Sequence, residues 1–211
     1  MVRRRPLLIG AGAAVLARPA AAQPKLAPPD IISAGTLTMS INPTLPPMQY
    51  VDDTGTLRGM RVELANEMAG RLGLKPEYIR TEFAVMIPGL AARRWDMINT
   101  GIFWTEERSK LMYMVPYERA AISFLVVRGN PLGIRKWEDL AGRPVGVELG
   151  GIEERRTREV ADMLTKAGLK PLEVRTFNNF AEAFQALRAG QVEAATCIDA
   201  TAMYWQTRGD F

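Results

Sequence analysis

Short apolar stretches of strand length alternate with amphipathic stretches of helix length along this chain, and the alternation stops and then restarts once. Residues 36–41 (TLTMSI), 76–80 and 96–100 read as strands, separated by helical stretches at 60–72 and 84–93. A β-α-β-α-β order is the mark of a mainly parallel sheet with helices on its faces. In the first helix Leu64, Met68 and Leu72 fall at i, i+4 and i+8, with Ala65 and Ala69 beside them, and Gly73 ends the run. Pro88 lies in the first turns of the second helix, where it is tolerated. The pattern begins again with a strand at 120–127, a break at Gly129-Asn130-Pro131, a short helix at 137–140 and a strand at 144–147. A helix at 153–167, strands at 172–177 and 192–198, and a helix from Ala200 to Gln206 follow. Between the last two strands, Asn179-Phe180-Ala181-Glu182 has the form of a capping box; it opens a helix whose buried face is Phe180, Phe184 and Leu187 and which Gly190 ends. The expectation is a two-domain α/β protein with its boundary near 118–122.

The first residues stand outside this pattern. Arg3, Arg4 and Arg5 precede an apolar run at 7–17, and Ala20-Ala21-Ala22 offers a small-residue cleavage site. Residues 1–22 are therefore read as a signal peptide, with export by the general route or, given Arg4-Arg5 before Leu7-Leu8, the twin-arginine route. The Pro-rich stretch that follows makes 23–34 a tether. The formal net charge of +4 falls to zero once the leader, with its four arginines and no acid, is removed. No basic field remains to favour nucleic acid or an anionic membrane. The single cysteine, Cys197, rules out an internal disulfide and reads as a small core residue. There is no histidine, which removes the usual zinc ligand, the usual general base and every Ser-His-Asp triad. An exported chain of this kind is expected to be a binder and not an enzyme, with no cofactor and no metal.

Residues 99–109 (NTGIFWTEERS) carry the most chemistry. An apolar strand ends in a small-residue turn, and a capped helix start then delivers Arg108. Free backbone N–H groups beside a fixed guanidinium make a grip for a carboxylate. A surface arginine paired with Glu107 is the alternative.

The order of motifs resembles that of the periplasmic solute-binding proteins of ATP-driven importers, in the polar amino-acid-binding group. The matching pieces are Gly35-Thr36-Leu37, Leu45-Pro46-Pro47-Met48, the run from Gly59 to Ala65, Met86-Ile87-Pro88-Gly89-Leu90, and Gly101 with Thr105-Glu106-Glu107-Arg108. Trp137 to Gly142 and Ala181 to Gly190 continue the match. The resemblance implies a two-lobed periplasmic-binding-protein-like (type II) α/β fold that closes on a small solute. Lobe 1 would span 35–120 and lobe 2 would span 121–211, with the C-terminal part of the family fold missing. It also implies a small carboxylate-bearing, amino-acid-like ligand, a membrane permease of an ABC importer as partner, a periplasmic location and a monomer. A periplasmic dehydratase on the same fold and the sensor domain of a membrane receptor are the other readings.

By that resemblance Arg108 pairs with the ligand carboxylate, the Gly101 N–H points at it, and Thr100 offers a carbonyl to the ligand amine. Phe83 matches an aromatic that stacks on the ligand, or is a core aromatic. Asn42 matches a polar position at the end of the first strand, or is a turn asparagine. Leu45 stands where an aromatic lid is common, and Phe103 where a hydroxyl is common; Phe103 and Trp104 then wall the cleft, cap a ligand cation or pack between lobes. Glu148 sits at the mouth of the second lobe and Gly151 opens a helix whose N–H groups face the carboxylate. Ile198 occupies the place of the acid that holds the ligand ammonium, with Asp199 one residue late. Asp199 reaches the cleft from the strand end or caps the next helix.

Overall fold

The computed structural model describes residues 26–209 and 211. The expected signal peptide and the start of the tether lie outside the described residues. From Leu26 on, the expected tether is docked: Ile31 is buried against Leu37, Met39 and Ala69, and the Ile32 N–H donates to Asp96 Oδ1 at 2.7 Å.

Among the described residues, ten strands and six α-helices follow in chain order. They are β1 (Thr36–Ile41), β2 (Thr44–Leu45), β3 (Gln49–Val51), β4 (Leu57–Arg58), α1 (Met60–Arg71), β5 (Lys75–Arg80), α2 (Met86–Ala91) and β6 (Met97–Ile98). Then come α3 (Glu106–Ser109), β7 (Ile122–Leu125), β8 (Pro144–Glu148), α4 (Ile152–Lys166), β9 (Glu173–Phe177), α5 (Phe180–Arg188), β10 (Ala194–Ile198) and α6 (Asp199–Arg208). Single 3-10 turns at Phe83–Val85 and Trp137–Leu140 lead into α2 and β8.

The first β/α group makes a parallel sheet in the order β5-β1-β6. The second makes a sheet in the order β7-β10-β8-β9, parallel except for β7, which runs antiparallel to β10 with Ala195 opposite Leu125. The two sheets match the two groups read from the sequence. A three-stranded antiparallel meander, β2-β3-β4, was not expected; its strands of two or three residues are too short to show alternation.

Helix α1 corrects the expected face. Leu64 and Leu72 are exposed, whereas Arg61, Val62, Ala65 and Ala69 are buried. The small side chains at 65 and 69 pack with Leu37 and Met39 of β1, and Met68 is half-buried against the same cluster. Gly73, at φ 70°, ends the helix, with the Leu74 N–H donating to the Ala69 carbonyl. At α5, Asn179 Oδ1 accepts from the Glu182 N–H at 3.0 Å, and Phe180, Phe184 and Leu187 are buried as expected. The reach-back of the Glu182 carboxylate goes to the Asn178 N–H at 3.0 Å, one residue before the cap.

The lobes are in contact. Leu45, 2% exposed, and Met48 from the meander pack into the second lobe's apolar cluster with Phe180, Phe184, Leu187 and Ile198. Tyr50 lies 6.3 Å from Tyr204 between ring centroids, and Asn179 Nδ2 donates to Glu82 Oε1 at 3.2 Å. The missing lid aromatic at 45 is thus replaced by an aliphatic plug between the lobes.

Candidate ligand site between the lobes

Strand ends supply the site. Asn42 follows β1, Thr100 and Gly101 follow β6, and Glu148 is the last residue of β8. In open α/β sheets the crevice outside the carboxyl ends of the strands is where ligands bind. The two sheets present these ends to each other, and Asn42 Nδ2 donates to Glu148 Oε1 across the gap at 2.6 Å. Asn42 is fixed for this by Thr44, whose hydroxyl donates to its Oδ1 at 2.9 Å.

Arg108 is held by the local helix start. Thr105, extended at φ −139°, accepts from the Arg108 N–H through Oγ1 at 3.1 Å and so opens α3. The guanidinium then bridges the lobes: Nη1 donates to the Phe103 carbonyl at 3.0 Å and Nη2 to the Gly150 carbonyl at 3.2 Å. Its Cζ lies 5.4 Å from the centroid of Phe83, whose ring is buried with Met86 and Trp95. Phe83 takes the core-aromatic reading, and its ring also carries the Arg108 guanidinium. No salt bridge joins Arg108 to Glu107 among the described residues.

Thr100 Oγ1 accepts from Gln49 Nε2 at 2.9 Å, and its carbonyl accepts from the Ile102 N–H. Gly101 backs onto another arginine. A Cβ there would sit 3.0 Å from Arg61 Nη1. Gly151 leaves room for a carboxylate: a Cβ there would sit 2.7 Å from Glu153 Oε2 and 3.7 Å from Glu148 Oε2. Phe103 contributes its carbonyl to Arg108, while its ring packs on the second lobe's cluster and lines a groove of about 500 Å³ with Trp104, Ile122 and Phe124, against β7 and α4. That is the packing reading for Phe103. Asp199 is the first residue of α6, one past its N-cap Ile198, and its Oδ1 accepts from the Ala200 N–H at 2.9 Å, which is not a side-chain cap; no hydrogen bond links its carboxylate to Asn42, Glu148 or Arg108 among the described residues.

Two charged residues of the site escaped the sequence reading. Glu153, in the first turn of α4, is 4% exposed. Arg61, in the first turn of α1, is 1% exposed. The spacing 61, 65, 69 puts Arg61 on the same helix face as Ala65 and Ala69, and that signal was available. For Glu153 the clue was its place two residues after the Gly150-Gly151 turn.

Burial sets the electrostatics. Glu148, 2% exposed, is pushed well above the usual carboxylate range by desolvation, with Glu153 and Glu82 adding like charge and Asn42 opposing. Glu153 is pushed up to about 7 by desolvation, against the pull of Arg108 and Arg61. Burial lowers Arg108. Both acids hold their protons in the folded state to higher pH than in the unfolded chain, whose carboxyls titrate near 4.5. Between those limits the folded state binds more protons, so stability falls as pH rises. The thermal midpoint is expected to drop by about 5 °C between pH 5 and pH 7.5, and to drop less in Glu153→Gln. Equal profiles for the two proteins, measured by scanning fluorimetry, would contradict this assignment.

Two α/β lobes meeting at their strand ends, with Arg108 reaching a carbonyl in each and the buried Glu153 acting on its charge, form a candidate small-molecule site. Residues 37–167 match the model of the bacterial extracellular solute-binding proteins, family 3. The chain belongs to that family. It is 31% identical over 161 residues to the L-cystine-binding protein TcyJ of Escherichia coli (strain K12), covering 76% of this chain and 58% of that protein. The chain thus spans less than two thirds of that relative. Among solved structures, an ancestral arginine-binding protein bound to arginine superposes with a TM-score of 0.74 at 35% identity, over 82% of this chain and 74% of that one. An ancestral amino acid-binding protein, a precursor of cyclohexadienyl dehydratase, gives a TM-score of 0.74 at 30% identity, over 84% of this chain and 76% of that one.

Proposed function

We propose that this protein captures a small amino acid or amino-acid derivative outside the cytoplasm and delivers it to the permease of an ABC importer. The observation that carries the reading is the convergence of Arg108 with Glu148 and Glu153 where the two lobes touch. A ligand carboxylate takes over the guanidinium N–H groups now given to the Phe103 and Gly150 carbonyls, with the Gly101 N–H beside it; the Gly151 N–H is directed to the Glu148 carbonyl at 3.4 Å. A ligand cation meets Glu148 and Glu153. Each end is gripped by both lobes, so binding favours the closed form. The family membership, the cystine-binding relative and the arginine-bound neighbour support an amino-acid ligand.

The test is a thermal-shift and calorimetry panel of the common L-amino acids and L-cystine, with simple dicarboxylates as controls. An amino acid that binds only the folded state raises the midpoint. For a cationic amino acid the affinity should strengthen by about tenfold from pH 5.5 to pH 8 as Glu153 ionises, and Glu148→Gln should change the rank order of the panel. No shift with any amino acid would end the proposal.

The neighbour that preceded a dehydratase favours a second reading. Glu148, whose proton affinity burial raises, is the group that would donate a proton to a leaving hydroxyl. Product formation from cyclohexadienyl acids, followed by mass spectrometry, separates this reading from binding alone.

A further inference from the structure

Arg61 is buried beneath the Gly101 turn, and its side-chain hydrogen bonds go to groups outside the proposed ligand grip. Each of its three guanidinium nitrogens is nonetheless engaged. Nη1 donates to Gln49 Oε1 at 2.7 Å, Nε donates to the Tyr117 hydroxyl at 2.8 Å, and Nη2 pairs with Glu118. Gln49, also buried, passes the connection on, with Nε2 donating to Thr100 Oγ1 at 2.9 Å. The Arg61 carbonyl accepts from Asn99 Nδ2 at 3.2 Å. A Cβ at Gly101 would meet Nη1 at 3.0 Å and both Cζ and Nη2 at 3.3 Å, so the guanidinium lies directly against the backbone of that turn. Asn99, Thr100 and Gly101 are thus each touched by Arg61 or by its hydrogen-bond partner. Tyr117 and Glu118 lie between α3 and β7, on the connection that joins the lobes.

Burying a guanidinium is costly unless its donors are met, and an apolar side chain of similar size is often as stable. Support for the core is therefore a poor reason for an arginine here. We propose that Arg61 is the positioning residue of the ligand turn: through Gln49 it fixes the Thr100 hydroxyl and the Gly101 backbone in the orientation that receives a carboxylate, and through Tyr117 and Glu118 it ties that turn to the interlobe connection. The inference rests on the amino-acid reading above and adds a residue to it. The fork geometry matters, because three separate partners are served at once; a lysine carries the charge but cannot serve them all.

The experiment compares the wild-type chain with Arg61→Met, Arg61→Lys and Gln49→Leu. The last removes both the acceptor for Arg61 Nη1 and the donor to Thr100, so it cuts the chain of bonds at its middle link while Arg61 keeps Tyr117 and Glu118. Calorimetry uses L-arginine and L-glutamine, each beside its α-carboxamide. The acid-over-amide preference is expected to fall at least tenfold in Arg61→Met and Gln49→Leu, and by less in Arg61→Lys, with amide affinity within about twofold of wild type. A purely structural role weakens acid and amide together; an unchanged ratio overturns the proposal. Hydrogen exchange gives a readout independent of any probe. Backbone amides at 101–104 should exchange at least tenfold faster in Arg61→Met and Gln49→Leu, with β10 unchanged, and unaltered exchange at 101–104 overturns the proposal as well. If the wild-type chain binds no amino acid, the functional reading fails while exchange still decides the role of Arg61.

Discussion

Replacing Arg108 with alanine is expected to weaken amino-acid capture by at least about 100-fold, roughly 2.7 kcal/mol. Three features argue for an effect of this size. The guanidinium is half-buried, so its charge acts through a poorly screening medium. It reaches the carbonyls of Phe103 and Gly150, one in each lobe, so a carboxylate bound there is held where closure occurs. It also lowers Glu153, so its loss raises the proton affinity of the acid that would meet the ligand's cation. Truncating one partner of a desolvated charged pair costs several kcal/mol because the other charge is left unmatched. Arg108→Lys should lose about tenfold, since the charge stays and the two-pronged fork goes. Folding should change little in both variants, because two backbone carbonyls are the side chain's hydrogen-bond acceptors. Wild-type affinity in Arg108→Ala, measured by calorimetry with whichever amino acid binds in the panel, would remove the carboxylate grip from the account.

Gly59→Ala is expected to be the most damaging small substitution for stability, with a loss of about 3 kcal/mol or more. Gly59 has φ 118°, which a residue with a Cβ rarely adopts. A Cβ there would lie 2.4 Å from the Met48 carbonyl oxygen and 2.8 Å from that of Pro47. Those carbonyls cannot withdraw cheaply. They accept from the Met60 and Arg61 N–H groups at 3.3 and 2.9 Å and so start α1, while Met48 is buried in the interlobe cluster. The damage should therefore reach the α1 start, Arg61 and the Leu45 plug together. Urea denaturation should show it as a lower midpoint, and scanning fluorimetry as a fall of roughly 6–12 °C. Gly70 is the matched control. It is helical and exposed, with open space around a would-be Cβ, so Gly70→Ala should stabilise by up to about 1 kcal/mol. The same sign for both substitutions would show that the backbone at 59 is not constrained as described.

Most strands and helices were legible because their signals are local. The strand pattern of β1, the Asn179 cap and the Thr105 cap each depend on residues within one turn of one another. The face of α1 was misread because Leu64 and Leu72 are the larger side chains, whereas the sheet accepts the small ones at 65 and 69. The site divides the same way. Arg108, Asn42 and Glu148 were expected from motif position, and the structure links Asn42 to Glu148 directly. Asp199 and the Phe103 ring have their described contacts in the first turn of α6 and in interlobe packing. Glu153 and Arg61 were overlooked because a charged residue in a helix normally faces water.

By itself, the sequence determined the two β/α groups, the strand-end turn with its arginine and the absence of histidine chemistry, since hydrophobic spacing, caps and composition act over a few residues. Only the tertiary structure decided that Glu148 and Glu153 lose their water, that Arg61 lies beneath Gly101 and that Leu45 seals one lobe against the other. Desolvation is the reason. It is a property of everything packed around a group, contributed here by segments more than a hundred residues apart, and no local stretch of sequence carries it.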